Sequence, residues 1–223
     1  MTIHRPKILV TKTLLLAQKQ KLIEADFEVT EADFISIKNE IFDFDSNSCD
    51  ALIFCSQNAV YSALTHPKCT EMKTKNVFCV GLKTKNLLTD NGFNVLAYTG
   101  YAHDLCEIIL LIYNNYRYTF LSGNLRKDTI PEGLKNAGIA INEIQVYQTL
   151  LAPKKLQTTF DAILFFSPSG VKSFVKDNKI NNEMCFCIGN TTAFEVEKHS
   201  KNAIIAAFPT IENVIEECIN EFR

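Results

Sequence analysis

The 223-residue sequence has almost no excess of either charge: 23 Lys and Arg against 25 Asp and Glu leave a formal net charge of −2. Acids and bases are intermixed, so no whole-molecule field draws in nucleic acid or an anionic membrane, and an anionic partner has to be held by local groups. Long apolar runs are lacking too. Met1 to Val10 has no secretory apolar core, and ILVTKTLLL is cut by Lys12 and too short to span a bilayer. These features predict a cytoplasmic protein with no nucleic-acid or membrane partner. The patterns GxGxxG, GxxxxGKS/T and GxSxG are absent, which excludes the dinucleotide and P-loop fingerprints and the nucleophile elbow, and favours chemistry without a cofactor.

Metal-ligand spacing is also missing. The sequence has eight cysteines and four histidines. Cys185 and Cys187 flank Phe186 on one face of an expected strand, but no second Cys or His pair lies at finger-like spacing. The thiols are therefore expected to be reduced, small core residues, and no metal is expected. His4, His66, His103 and His199 stand singly, none beside a nucleophile motif, and the acid pairs Asp43/Asp45 and Glu216/Glu217 fit a solvated linker and a terminal helix.

What the sequence does contain is an internal echo. Asp50-Ala-Leu-Ile-Phe-Cys-Ser56 aligns without gaps on Asp161-Ala-Ile-Leu-Phe-Phe-Ser167, and Val77-Phe-Cys-Val-Gly81 with Thr84 on Cys185-Phe-Cys-Ile-Gly189 with Thr192. Asn94-Val-Leu-Ala returns as Asn202-Ala-Ile-Ile, and KILVTKT more weakly as TFLSGNL. The chain reads as two copies of one unit. Short apolar runs (ILVT, ALIFC, VFCVG, TFLS, AILFF, CFCIG) alternate with segments of helical apolar spacing such as Val171, Phe174, Val175. Buried parallel strands followed by helices mean an α/β fold. Ser167 is placed to cap a helix with Pro168 at its first position, and Thr210 to cap the last helix, IENVIEECINEF.

Two segments break the alternation. Ala32 to Phe44 and Ile141 to Pro153 have period-two character and occupy equivalent places, as connectors would. In the second, strict alternation puts Ile144 and Val146 on one face and Gln145, Tyr147 and Thr149 on the other, with the tyrosine hydroxyl on the polar side.

Ligands of open parallel sheets sit outside the carboxyl ends of the strands. Here those ends carry small hydroxyl, amide or glycine residues: Thr11-Lys12-Thr13, Ser56-Gln57-Asn58, Gly81 to Thr84, Ser122-Gly123-Asn124, Ser167-Pro168-Ser169-Gly170 and Gly189-Asn190-Thr191-Thr192. Such residues cap helices in any α/β protein. Their recurrence in both copies, with Lys12, Lys83, Lys85, Arg126 and Lys172 nearby, suits a ligand bearing carboxylates or phosphates.

The ordered set LIFCSQNAV, VGLKT, LSGNLRKDTIPEGLKNAGI, IQVYQT, FFSPSGV and CIGNTTA resembles the uroporphyrinogen-III synthase family over nearly the whole chain. The resemblance implies two similar three-layer, flavodoxin-like parallel-sheet domains, the first discontinuous (1–36 and 152–223) and the second 37–151, joined by hinge strands at 34–44 and 144–152. It implies an enzyme without cofactor whose substrate is hydroxymethylbilane, a linear tetrapyrrole closed to uroporphyrinogen III with loss of water and inversion of the last ring through a spiro intermediate, on the path to haem; nothing in the sequence indicates a dimer, so a monomer is expected. Tyr147 matches the family's proposed proton donor. Thr84 and Thr192 match its paired threonines, and Ser56, Ser122 and Ser167 its strand-end hydroxyls. Thr11, Lys12, Asn58, Gly81, Gly123, Asn124, Ser169, Gly170, Gly189 and Thr191 complete the expected substrate contacts. Lys12 stands where the family commonly has arginine, and Leu82-Lys83 replaces smaller residues. A second reading, a non-catalytic two-lobed sensor or binding module for a small anionic metabolite, fits the same turns.

Overall fold

A computed structural model describes residues 5–223, so His4 lies outside the described residues. The chain divides into two compact units, Met1–Ser36 with Leu150–Arg223, and Ile37–Thr149. The first unit opens with β1 (Lys7–Val10), α1 (Leu16–Glu24) and β2 (Glu28–Glu31), and β3 (Ile35–Asn39) carries the chain out of it. The second contains β4 (Ala51–Phe54), α2 (Gln57–Leu64), α3 (Cys69–Lys73), β5 (Asn76–Val80), α4 (Leu82–Asp90), β6 (Asn94–Thr99), α5 (Ala102–Ile112), β7 (Tyr118–Gly123) and α6 (Thr129–Asn136). The chain returns through β8 (Ile141–Leu151) and ends with β9 (Ala162–Phe165), α7 (Pro168–Asp177), β10 (Met184–Cys187), α8 (Asn190–Glu197), β11 (Ala203–Ile205) and α9 (Ile211–Glu221).

The sheets are ordered β11-β10-β9-β1-β2 and β3-β8-β7-β4-β5-β6. Numbered by appearance, the first is the flavodoxin-like order 2-1-3-4-5. If the sequence echo is followed, β9, β10, β11, β1 and β2 correspond to β4, β5, β6, β7 and β8, and the five strands of the first sheet then have the order of their counterparts in the second, which adds β3 at its edge. The repeat in sequence is a repeat in topology, entered at a different point.

Within each unit the strand period distributes the core. Leu52 and Phe54 of β4 join a cluster with Ala59, Val60 and Ala63 of α2 and Leu88 of α4, while Ala51 and Ile53 join Leu105 and Ile109 of α5 and Leu134 of α6. In the first unit Ile8, Val10 and Leu164 pack with Leu22 of α1 and Val214, Ile215 and Cys218 of α9; Leu9, Ile163 and Phe165 pack with Val171 and Phe174 of α7 and Val196 of α8. Strands buried on both faces explain the unbroken apolar runs. Each such side chain contributes about 1.5–3 kcal/mol when fully buried. All eight thiols are free, and burial pushes those of Cys79, Cys185, Cys187 and Cys218 up to about 12.

The repeated aspartate does the same work in both copies. Asp161 accepts the Lys7 backbone N–H at 2.7 Å, and Asp50 accepts that of Arg117 at 2.9 Å, so each pins the start of the neighbouring strand. Asp50 is further clamped by the Arg117 guanidinium, through Nε at 3.1 Å and Nη2 at 2.9 Å. Those side-chain and backbone bonds from Arg117 lower its pKa from 3.8 to about 2. A depressed folded-state value contributes stability that is present above the unfolded pKa and lost as pH falls through the folded one. Urea unfolding of Asp50→Asn is therefore expected to show a deficit at neutral pH that closes between about pH 4 and about pH 2. A deficit independent of pH would remove the ion pair from the explanation.

The connectors differ from the period-two expectation. β3 ends at Asn39 rather than continuing to residue 44. The chain beyond it turns inward: Phe44 is buried, Phe42 stacks on His66 with ring centroids 4.3 Å apart, and the two carbonyls meet His66 Nε2 at 2.9 Å and Lys68 Nζ at 2.7 Å. Side chains take the place of a ladder partner. β8 in turn begins earlier than 144, because Ile141 already pairs with Tyr118.

Candidate functional site

The helices that follow the repeated strands start in two ways. Ser56 caps α2 by accepting the Ala59 N–H at 3.1 Å, and Ser167 caps α7 by accepting the Gly170 N–H at 3.0 Å. By contrast α4 and α8 begin at Gly81 and Gly189, which offer no side-chain acceptor, so neither helix start carries a side-chain cap. Gly81 has φ 91°, a backbone only glycine adopts readily, whereas Gly189 is extended. The third residue of each helix is a buried threonine, Thr84 or Thr192. An uncapped helix start with a hydroxyl in its first turn is suited to an anion.

In the second unit the strand order reverses between β4 and β7, and a cavity of about 370 Å³ opens there. Such a crevice at the carboxyl ends is where the fold class places ligands. Cys55 and Ser56 after β4, Ser122 and Gly123 at the end of β7, Tyr101, Leu125, Arg126, Lys127 and Tyr147 are among its lining residues. It joins apolar walls to two cationic side chains. Arg126 is held charged first by Asp128 and then by Glu143, whose carboxylate also meets Lys135 at 2.6 Å.

Strict alternation is wrong about Tyr147. Ser122 pairs with Gln145 but Gly123 pairs with Tyr147, so Val146 is an extra residue in a β-bulge. The bulge turns Tyr147 onto the face of Ile144 and Val146, where all three pack against the same core cluster. That is also the α2 face, and there the tyrosine oxygen accepts a hydrogen bond from Ser56 Oγ at 3.0 Å. Gly123 makes room for the ring: a Cβ at this position would lie 2.4 Å from Tyr147 Cζ and 2.8 Å from its Oη.

Other expected site residues fall in separate places. Asn124 lines a second, more open depression with Arg126, Asp128, Glu143 and Gln145, and its amide is engaged with β8, accepting the Thr149 N–H at 2.8 Å and donating to the Thr149 carbonyl at 3.3 Å. Asn58 is half-buried in the first turn of α2; its carbonyl accepts from Ser62 Oγ at 3.0 Å. In the first unit Thr11, Ser167, Ser169 and Gly170 come together where β1 and β9 adjoin. Thr11 Oγ1 donates to the Leu164 carbonyl at 2.6 Å, Ser167 Oγ lies 3.0 Å from Ser169 Oγ, and a Cβ on Gly170 would stand 3.3 Å from Ser167 Oγ and 3.9 Å from Thr11 Oγ1. Lys12 lies over the Phe166 ring, 6.0 Å from its centroid, and Thr191 is exposed in the first turn of α8.

Sequence reasoning missed Tyr101 and Leu125. An available signal was the aromatic residue that follows the corresponding strands β6 and β11: Tyr101 after β6 and Phe208 after β11, both exposed. Among the described residues no group of three His, Cys, Asp or Glu side chains gathers as metal ligands, and no helix is long and apolar enough to cross a membrane.

Comparison with known proteins agrees with this fold. The uroporphyrinogen-III synthetase of Helicobacter pylori 26695 superimposes with a TM-score of 0.77 at 21% identity, covering 97% of this chain and 99% of that one. A mutant uroporphyrinogen III synthase of the extremely thermophilic bacterium Thermus thermophilus gives 0.64 at 11% identity over 98% and 100% of the two chains. At these identities the likeness is one of fold. The sequence model described as uroporphyrinogen-III synthase HemD matches residues 17–216, and by that match the chain belongs to the uroporphyrinogen-III synthase family.

Proposed function

We propose that Tyr147 is the proton donor in the reaction of this family, the closure of hydroxymethylbilane to uroporphyrinogen III. The reaction begins with loss of the terminal hydroxyl as water, which requires a proton. The cationic methylene-pyrrole left behind is attacked by the substituted carbon of the last ring, giving a spiro intermediate that opens and closes again with that ring inverted. The free ring carbon that finally closes the macrocycle releases a proton, so the proton lent by the acid is returned. The observation that carries the assignment is a phenol placed in the switch-point cavity, accepting from Ser56 and so with its own proton left to give.

The remaining work is positioning, because unassisted closure gives the uninverted type I isomer. The carboxylates of the substrate suit Arg126 and Lys127 at the cavity and the uncapped start of α4 with Thr84; in the other unit, the uncapped start of α8 with Thr192 offers the same chemistry. Thr11, Lys12, Ser122, Ser167, Ser169, Gly170, Gly189 and Thr191 are proposed as further contacts, while Asn124 and Gly123 are assigned to holding β8 and Tyr147. A cytoplasmic monomer is the proposed form. Eight free thiols suit a reducing compartment.

The test is the product isomer. Hydroxymethylbilane incubated with the protein is expected to give type III porphyrinogen in excess, read after oxidation by chromatography; type I alone, at the rate of buffer, would leave only the binding-module reading.

A further inference from the structure

Resting on the assignment of Tyr147 as the acid, we infer that Ser56 is its positioning residue: the serine hydroxyl donates to the phenolic oxygen and thereby directs the tyrosine proton into the cavity. A hydroxyl has one proton and two acceptor positions. On Ser56 Oγ an acceptor position takes the Ala59 N–H at 3.1 Å, and the proton goes to Tyr147 Oη at 3.0 Å. The phenol is left to donate elsewhere. On the β7 side its neighbour is Gly123, which has no side chain to compete for that proton.

The same arrangement prepares for the charge that follows. When Tyr147 gives up its proton, the phenolate already has an O–H donor aimed at it, and a hydrogen bond to an ionised acceptor is about twice as strong as a neutral one. The donor is also the N-cap of α2, so the negative charge forms beside the positive end of a helix dipole. The bond therefore strengthens as the reaction proceeds, which is the property that raises kcat rather than lowering KM. Cys55, next in the chain, does not contribute a competing anion, because burial pushes its thiol up to about 12.

The repeat supplies an internal comparison. Ser167 caps α7 with the geometry of Ser56, yet its hydroxyl meets Ser169 and not a tyrosine. Capping alone does not need a phenol. The Ser56–Tyr147 pair is an addition made in one copy, by a strand whose bulge brings the ring to the cap.

The experiment separates cap from relay. Ser56→Asp keeps an acceptor for the Ala59 N–H, so α2 stays capped, but a carboxylate donates nothing and draws the tyrosine proton toward itself. Ser56→Asp and Ser56→Ala are expected to lower kcat for type III product about ten- to a hundredfold, as removal of a hydrogen bond to a charged group does, with KM held within a few-fold. Ser56→Thr, which retains both bonds, is expected to restore most of the rate. In a Tyr147→Phe background the Ser56 substitutions should cost nothing further, since their partner is gone. Equal losses in both backgrounds, with Tyr147→Phe itself impaired, would overturn the inference and leave the acid assignment standing. Full turnover by Tyr147→Phe alone would overturn both.

Discussion

Tyr147→Phe is expected to lower kcat by about 10²- to 10⁴-fold, the range that general acid catalysis supplies. The substitution removes one oxygen and leaves the ring, which packs against the cluster of Val146 and Ile144 and lies over Gly123, so the fold and the cavity wall are retained. Ser56 loses an acceptor but keeps the Ala59 N–H, so stability should change little. KM should change little as well, because the proton is needed in the transition state rather than on binding. A second readout follows from the chemistry. Substrate that waits on a slow enzyme closes spontaneously, so the product should shift toward type I as turnover falls. A variant that keeps the wild-type rate and pure type III product would reduce Tyr147 to a wall of the cavity.

Much of the architecture could be read from residues because it depends on period and repetition. Runs such as ALIF and AILF are buried on both faces, so they appear as unbroken apolar stretches, and the echo between them corresponds to a shared strand order. Helix starts were equally legible, since Ser167-Pro168 and Thr210 state their capping chemistry locally. The crossing of the chain between the units was not legible from the repeat, which by itself reads as head to tail; the family resemblance supplied it. The failure at Tyr147 is physical. A bulge is decided by how two strands meet, and nothing in IQVYQT announces that Val146 will be the extra residue. The end of β3 at Asn39 is similar, because Phe42 and Phe44 leave the strand for partners, His66 and the core, that lie far along the chain. The tie that Asn124 makes to Thr149 of β8 was not legible either, because it depends on where Thr149 falls.

Gly123→Ala is expected to abolish most of the activity although it adds only one methyl group to a strand. Elsewhere such a change is mildly stabilising, by about 0.4–1 kcal/mol, because it narrows the unfolded ensemble. Here the added carbon would stand 2.4 Å from Tyr147 Cζ, 2.5 Å from Cε2 and 2.8 Å from Oη, distances no packed structure sustains. The ring has to move, and moving it breaks the bond from Ser56 and takes the hydroxyl out of register with the substrate. A displacement of about 1 Å can cost 10²-fold in rate, and the cost here should reach that size. Because Cζ and Cε2 are as close as the hydroxyl, removing the oxygen does not relieve the collision, so Gly123→Ala combined with Tyr147→Phe should be no faster than Tyr147→Phe alone. The two losses should also fail to add, since both act through one side chain. Full additivity would mean that the added methyl acts through something other than Tyr147, and a Gly123→Ala protein with ordinary turnover would mean that the ring moves without consequence and that the bulge in β8 serves the sheet rather than the chemistry.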